Sequence, residues 1–542
     1  MFERFHAFEA PRKLLACVLA YALVLGSSPA YARSSGETAT PIKHLVVIFQ
    51  ENVSFDHYFG TYPNALNPNG EPQFFARPNT PTVNGLSGAL LNNNPNLNPA
   101  NGNGATNPFR LDRTQAATAD QNHNYGPEQA AYHFGLMDLF PISVGTAGPP
   151  PNAPPQIVLT KGLNLGYYDG NTVTALWNYA QYFAMSDNSY DTTFGPSTPG
   201  LMNLVSGQTN GVAHVINGTG SETDGGNGTL TVIGDPDPID DVCSAPSRNQ
   251  VQMQSRNIGD MLNDAGITWG SFMGGFDLTI VNPNGTTGCL RSTTSAYTGT
   301  IGDYVPHHAF FQYWASTANP QHTRPQNVVE IGHDGPANHN YDMNDFYAAV
   351  KNGNLPAVSF LKAQAYQDGH AGNSDPIDEQ TFIVNVLNTL QQSPDWSSTA
   401  VVILYDDSDG WYDHVTSPIV NQSNSPADML TGPGACGDGS NALAGPDPTN
   451  PHAQGRCGYG PRQPLVIVSP WARENFVDHT VTDQTSVIRF IEDNWLSGKR
   501  IGQGSYDVLA NSISQMFDFN HLRSDRLFLN PATGEPITQG NH

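Results

Sequence analysis

Two pairs of oxygen-bearing side chains, Glu51-Asn52 and Asp406-Asp407, stand far apart in the chain but in the same local setting. Each pair follows an apolar run, Leu45-Val46-Val47-Ile48-Phe49 in one case and Ala400-Val401-Val402-Ile403-Leu404-Tyr405 in the other. Adjacent carboxylates repel one another and are costly at a strand end unless a cation sits between them or water solvates them. Oxygen ligands of this kind suit a hard cation. The stretch Asp407-Ser408-Asp409-Gly410 has part of the look of a calcium loop, but it lacks the rest of the twelve-residue pattern and the closing Glu. The four side chains therefore point to one divalent metal ion of unassigned identity, with Asp409 as a supporting loop residue.

Two further kinds of group fit the same chemistry. In Phe194-Gly195-Pro196-Ser197-Thr198-Pro199-Gly200, Ser197 stands where a helix begins, ahead of the apolar stretch Leu201-Met202-Asn203-Leu204-Val205. Taken alone it reads as an N-cap serine. The same geometry offers a hydroxyl beside free backbone N–H groups and the positive end of a helix dipole, which suits attack on phosphorus. A metal ligated by Ser197 as well would lower the pKa of that hydroxyl. Thr198 is the second candidate nucleophile. His123, the pair His307-His308, and His370 all lie in polar loops, where imidazoles serve as phosphate ligands or general acids.

The elements that must position these residues are legible as an alternation. Buried strands are expected over 45–49, 267–269, 357–361, 400–405 and 465–468. Helices are expected over 174–180, 258–265 (closed by Gly266), 342–350, 378–391 and 485–495. Near-continuous apolar strands separated by helices predict an α/β fold with a mostly parallel sheet covered on both faces. Open sheets of this kind carry their sites at the C-terminal ends of the strands, where both acidic pairs fall. Stretches rich in Asn, Pro and Gly near 63–109, 218–247 and 421–462 read as long loop insertions in a single catalytic domain spanning 33–542.

Residues 1–32 have the pattern of a signal peptide. Arg4, Arg12 and Lys13 precede the apolar Leu14–Leu25, and Ala30-Tyr31-Ala32 gives a cleavage signal after Ala32. The expected location is secreted or periplasmic, with no transmembrane segment in the mature chain. A net charge of −25 argues against nucleic acid and strongly anionic membranes as partners. Beyond Cys17, four cysteines remain. Of their three possible pairings, Cys243–Cys289 and Cys436–Cys457 are favoured, because each pair brackets a loop-like stretch. A four-cysteine zinc site is disfavoured by the absence of close cysteine spacing.

Several ordered motifs then agree with one family. The stretch 50–60, Gln-Glu-Asn-Val-Ser-Phe-Asp-His-Tyr-Phe-Gly, resembles the opening motif of the bacterial phosphoesterases, which include phospholipases C and acid phosphatases A. The stretch 404–414, Leu-Tyr-Asp-Asp-Ser-Asp-Gly-Trp-Tyr-Asp-His, resembles a second signature. So do Gly369-His370 with Ser374-Asp375-Pro376 and Glu379-Gln380, and Pro306-His307-His308 followed by Phe310-Phe311-Gln312-Tyr313. The resemblance runs from about Ile42 to Trp495 and implies an alkaline-phosphatase-like fold. It implies Glu51, Asn52, Asp406 and Asp407 as metal ligands, Ser197 as nucleophile, and His123, His370 and one or both of His307 and His308 as phosphoryl ligands or acids. The substrate it implies is a phosphate ester, phospholipid or phosphomonoester. Val53 stands where the family often has Arg, and Pro199-Gly200-Leu201 where the phospholipase branch often has Pro-Asn-Arg. The alternative is a non-enzymatic calcium-binding surface protein, and it requires that Glu51, Asn52, Ser197, Asp406 and Asp407 do not converge.

Overall fold

Strands made almost wholly of Val, Ile, Leu and Phe must be buried on both faces, and the centre of the protein is a sheet of such strands. A computed structural model describes residues 37–148, 157–218, 220–437, 445–450 and 452–537, so the signal peptide expected over 1–32 lies outside the described residues. The sheet has nine strands: β1 (His44–Gln50), β2 (Ala184–Tyr190), β3 (Trp269–Met273), β4 (Asn340–Asp342), β5 (Val358–Lys362), β6 (Thr399–Tyr405), β7 (Arg462–Val468), β8 (Phe476–Asp478) and β9 (Thr482–Asp483). The order is β4-β3-β5-β1-β6-β7-β2-β8, with β9 also paired to β2. The pairings from β4 to β6 are parallel, and only β7 runs antiparallel to its neighbours β6 and β2. The expected mostly parallel α/β sheet is therefore what forms.

β1 and β6 lie side by side along their whole length, with Gln50 opposite Tyr405. One residue further on, the chain delivers Glu51 and Asp406 to the same point on the sheet edge. Every residue of β6 is buried, and of β1 only the first, His44, is not. β2 was not anticipated. Its sequence Ala-Met-Ser-Asp-Asn-Ser-Tyr carries too many polar residues for a buried strand, yet Ser186, Asp187 and Ser189 are all buried. The Asp187 carbonyl accepts from the buried Arg462 guanidinium at 2.9 Å, and its carboxylate accepts from His479.

The longer helices and the short one after β1 are α1 (Phe55–Phe59), α2 (Tyr125–Tyr132), α3 (Thr174–Tyr182), α4 (Ser197–Ser206), α5 (Ile258–Ala265), α6 (Met343–Lys351), α7 (Pro376–Gln392) and α8 (Thr485–Trp495), and several of them begin at a capping side chain. Asn257 and Asp260 form a reciprocal capping box on α5, which Gly266 closes at φ +65°. Asp342, expected inside a helix, is instead the N-cap of α6. Asp375 accepts from two backbone N–H groups at the start of α7, with Pro376 at the first position.

The stretch 218–247, read as a loop, is a correction. Glu222–Asp224, Leu230–Val232 and Asp237–Pro238 are strands of a separate five-stranded sheet with Asn210–Ile216 and Gln250–Met253. The glycines and asparagines that suggested a loop form the turn between Asp224 and Leu230, and the Leu-Thr-Val run beyond it pairs antiparallel with Glu222–Asp224. Both favoured disulfides form, with Cα–Cα separations of 5.2 Å for Cys243–Cys289 and 5.9 Å for Cys436–Cys457. Among the described residues, no helix is long and apolar enough to cross a membrane.

Candidate active site

The turn after β1 serves two purposes. Ser54 caps α1 by accepting from the His57 N–H at 3.3 Å, while Glu51 and Asn52 face the end of β6, both fully buried. The turn needs an uncommon backbone, since Asn52 has φ +42°, a region that asparagine tolerates better than most residues. Its N–H lies 3.4 Å from Asp406 Oδ1. Asp56 of α1 and Asp413 clasp the buried Arg462 guanidinium at 3.2 and 3.0 Å, and His414 Nδ1 lies 2.6 Å from Asp56. This knot ties the loop after β6 to α1 and β7.

α4 brings the hydroxyl. Ser197 Oγ stands 3.3 Å from Glu51 Oε2 and 3.2 Å from Asp407 Oδ2. The helix comes this close because Gly200 has no side chain, and a Cβ there would lie 2.1 Å from the carbonyl oxygen of Asp406. Thr198 is committed elsewhere: its Oγ1 donates to the His307 carbonyl at 3.2 Å and its N–H to Asp235 at 2.9 Å. Of the two hydroxyls, only that of Ser197 faces the acidic pair. Glu128, midway along α2, accepts from Ser408 Oγ at 2.5 Å and from the Gly195 N–H at 3.0 Å, joining the loop before α4 to the loop after β6. Burial pushes its carboxyl up to about 7, against its hydrogen bonds.

The histidines divide by position. His308 is buried with Nδ1 2.8 Å from Glu51 Oε1; burial, with His307 and Lys362 nearby, holds its pKa well below the ordinary value. His307 lies further out, with Nδ1 3.6 Å from Asp237. His123 has Nδ1 2.9 Å from the Gln121 carbonyl and 3.1 Å from Asp409 Oδ1, and its Nε2 is 3.4 Å from the Asn52 amide nitrogen. Burial opposes a charge on His123, but Asp407, Asp409 and Asp120 outweigh it and raise the pKa well above the ordinary value. His370 packs edge-to-face against His123, with ring centroids 5.6 Å apart, and its Nδ1 contacts the Ala371 carbonyl at 2.5 Å.

Two site residues went unread in the sequence. Lys362, the last residue of β5, has its ammonium against Glu51 Oε1 and 3.1 Å from Asp406 Oδ2. Asp368 is buried beside Glu51 and His308, the three offering ligand atoms within 4.8 Å of one another. The signal for Lys362 was its place at the end of the apolar run Val358–Leu361, on the same sheet edge as the acids. Burial would push the Glu51 carboxyl up, but Lys362 and His370 turn the balance and hold it below the usual range. The Asp406 carboxyl is pushed up to about 7 by burial and by Glu51.

The donor set fits a divalent cation beside Ser197. Asn52 Oδ1 is buried with no hydrogen-bond partner, and Glu51 Oε2 and Asp407 Oδ2 both lie within 3.3 Å of Ser197 Oγ. Four buried carboxylates, Glu51, Asp368, Asp406 and Asp407, stand against one ammonium, an excess of negative charge that a divalent ion would reduce. Asp120, His123, His370 and Asp409 form a neighbouring group whose ligand atoms also lie within 4.8 Å of one another.

A hydroxyl at a helix N-terminus, set among carboxylates and imidazoles at the C-terminal edge of a mostly parallel sheet, defines an α/β enzyme of ester chemistry. The model of the Phosphoesterase family matches residues 42–496, and the chain belongs to that family. It is a phosphoester hydrolase, which removes the non-enzymatic alternative. The chain is 26% identical to Phospholipase C B of Mycobacterium tuberculosis over 463 residues, covering 83% of this chain and 73% of the relative. It is 26% identical to the non-hemolytic phospholipase C of Burkholderia pseudomallei, covering 84% of this chain and 55% of that protein. Non-specific phospholipase C3 of Arabidopsis thaliana is 23% identical, covering 82% and 66%. A solved structure of an alkaline phosphatase superfamily protein from Vibrio parahaemolyticus aligns over 75% of each chain, with a TM-score of 0.25 and 11% identity.

Proposed function

We propose that the protein is a secreted hydrolase, with one divalent metal, that cleaves phosphate esters through a phosphoserine at Ser197, with phospholipids as the favoured substrate class. The observation that carries the reading is Ser197 Oγ between Glu51 Oε2 and Asp407 Oδ2, with Asn52, next to Glu51 in the chain, keeping a buried and unpartnered Oδ1. Glu51, Asn52, Asp406, Asp407 and Ser197 would hold the ion. The chemistry such an ion supplies is Lewis acidity, which lowers the pKa of a serine hydroxyl and draws charge from phosphoryl oxygens.

The chain's own residues do the rest. Ser197 Oγ attacks phosphorus as its proton passes to one of the two carboxylate oxygens it contacts. His370 keeps Nδ1 on the Ala371 carbonyl, which leaves Nε2 to protonate the departing oxygen. His123, held by Gln121 and Asp409, and the donors His308 and His307 bind the phosphoryl oxygens. Water then attacks the phosphoserine, His370 taking a proton from it, and the P–Oγ bond breaks as the carboxylate returns its proton to Ser197 Oγ. Preference for phospholipid rests on the names of the relatives, and the acidic net charge favours zwitterionic over anionic head groups. The two disulfides are consistent with an oxidising compartment.

The test is Ser197→Ala assayed beside the wild type on phosphatidylcholine vesicles and on p-nitrophenyl phosphate. Loss of about a thousandfold or more in kcat on whichever substrate the wild type prefers is expected. A variant that keeps near-normal turnover removes Ser197 as nucleophile, and a wild type that hydrolyses only the monoester replaces phospholipase by phosphatase.

A further inference from the structure

Lys362 is a lysine where an unaided charge would be expensive. Its side chain is 1% exposed, at the end of β5, with its ammonium against Glu51 Oε1 and 3.1 Å from Asp406 Oδ2. The Phe49 ring lies 5.4 Å from the same nitrogen and closes that side of the site. The carboxylate oxygens turned toward Ser197 are different ones, Glu51 Oε2 and Asp407 Oδ2. The acidic centre thus has two faces across Glu51 that suit a cation, one taken by the protein's own ammonium and the other beside Ser197. Asp368 adds a fourth buried carboxylate next to Glu51, with its Oδ2 unpartnered.

A buried ammonium contacting two carboxylates fixes their side chains before any ion arrives. Its charge also repels a second cation that shares those carboxylates, and in a dry site that repulsion is strong. We infer that Lys362 is the resident second cation of this centre: it preassembles Glu51 and Asp406, and it lowers the affinity of the Ser197 seat for its divalent ion so that one ion, and no second, is taken up. Lys362 touches no reacting atom, so it is a positioning residue. The inference rests on the metal reading given under the proposed function, and its test separates the two.

Mn2+ binding is measured by equilibrium dialysis with EPR counting of free ion, for the wild type, Lys362→Met and Lys362→Arg. Melting temperatures are recorded with and without Mn2+. The wild type is expected to bind one Mn2+ per chain. Lys362→Met is expected to bind Mn2+ at least about tenfold more tightly or to take a second ion. Its metal-free form is expected to lose more of its melting temperature than its Mn2+-loaded form does. Lys362→Arg, which keeps the charge, is expected to stay within about threefold of the wild-type affinity. A Lys362→Met protein with wild-type stoichiometry, affinity and metal-dependent shift in melting overturns the inference and leaves the metal reading standing. A wild type that binds no Mn2+ and no other divalent ion overturns the metal reading itself, and the inference with it. If Lys362→Met folds neither with nor without Mn2+, Lys362→Gln takes its place under the same expectations.

Discussion

At the scale of single residues, the site depends as much on a missing side chain as on those present. α4 can set Ser197 against Glu51 and Asp407 only because its second turn rests on the Asp406 carbonyl, where a Cβ at Gly200 would come within 2.1 Å. No real Cβ contact is that short, and a backbone carbonyl at a strand end has no rotamer to yield. Gly200→Ala must therefore push α4 away from β6. The expected cost is about 1–3 kcal/mol of overpacking. Activity should fall further than stability alone explains, because the displacement is centred three residues from the hydroxyl. Denaturant melts alongside kcat measure both, and a variant with unchanged stability and turnover would show that the helix has room to spare. The opposite case is Thr198, next to Ser197 in sequence but hydrogen-bonded to the His307 carbonyl. That contact distinguishes two hydroxyls which the sequence left as first and second choice.

At the scale of elements, the strands that end in acids could be read directly, because β1 and β6 are continuous apolar runs, the pattern that strands buried on both faces commonly take. β2 could not, since its run of polar residues does not read as a buried strand and the partners of its buried Asp187, Arg462 at the carbonyl and His479 at the carboxylate, lie distant in the chain. Lys362 escaped for a related reason: a lysine closing an apolar strand ordinarily carries its charge out to water, and only the fold turns it onto Glu51 and Asp406. Glu128 sits mid-helix with nothing in its spacing to mark it. There it links two elements by accepting from the Gly195 N–H and from Ser408 Oγ. Glu128→Ala would leave a buried N–H and a buried hydroxyl without their acceptor, at a cost of about 1–3 kcal/mol. Since the two loops carry Ser197 and Asp407, kcat should drop by about tenfold or more with KM little changed. Glu128→Gln can accept from Gly195 and donate to Ser408, so it should recover most of the lost turnover. Equal losses in the alanine and glutamine variants would mean that the charge, not the tether, is what matters.

At the scale of the whole molecule, the C-terminal segment that follows α8 is joined to the sheet layers through a carboxyl that is costly to ionise. Glu492 on α8 accepts from the Ile501 N–H at 2.8 Å and from Arg500 at 2.9 Å, and its side chain is fully buried. Burial, reinforced by a hydrogen bond with Asp507, pushes its carboxyl up to about 9, and Arg500 offsets only part of this. Asp507, which also accepts from Ile501, belongs to the segment Tyr506–Val508. A carboxyl whose folded pKa lies above its unfolded value binds more protons folded than unfolded. Its contribution to stability is therefore complete below about pH 4.5 and is lost as pH rises through about 9. The steepest loss for one such group is about 1.4 kcal/mol per pH unit. Glu492→Gln keeps an acceptor for Ile501 and cannot ionise, so its stability should fall less than the wild type's between pH 6 and pH 9. Self-repulsion from the net charge of −25 also grows over that range, but it acts on both proteins and cancels in the difference. The comparison is a set of denaturant melts at both pH values. The gap between variant and wild type should move in the variant's favour at pH 9, and parallel profiles would place the proton elsewhere than on Glu492.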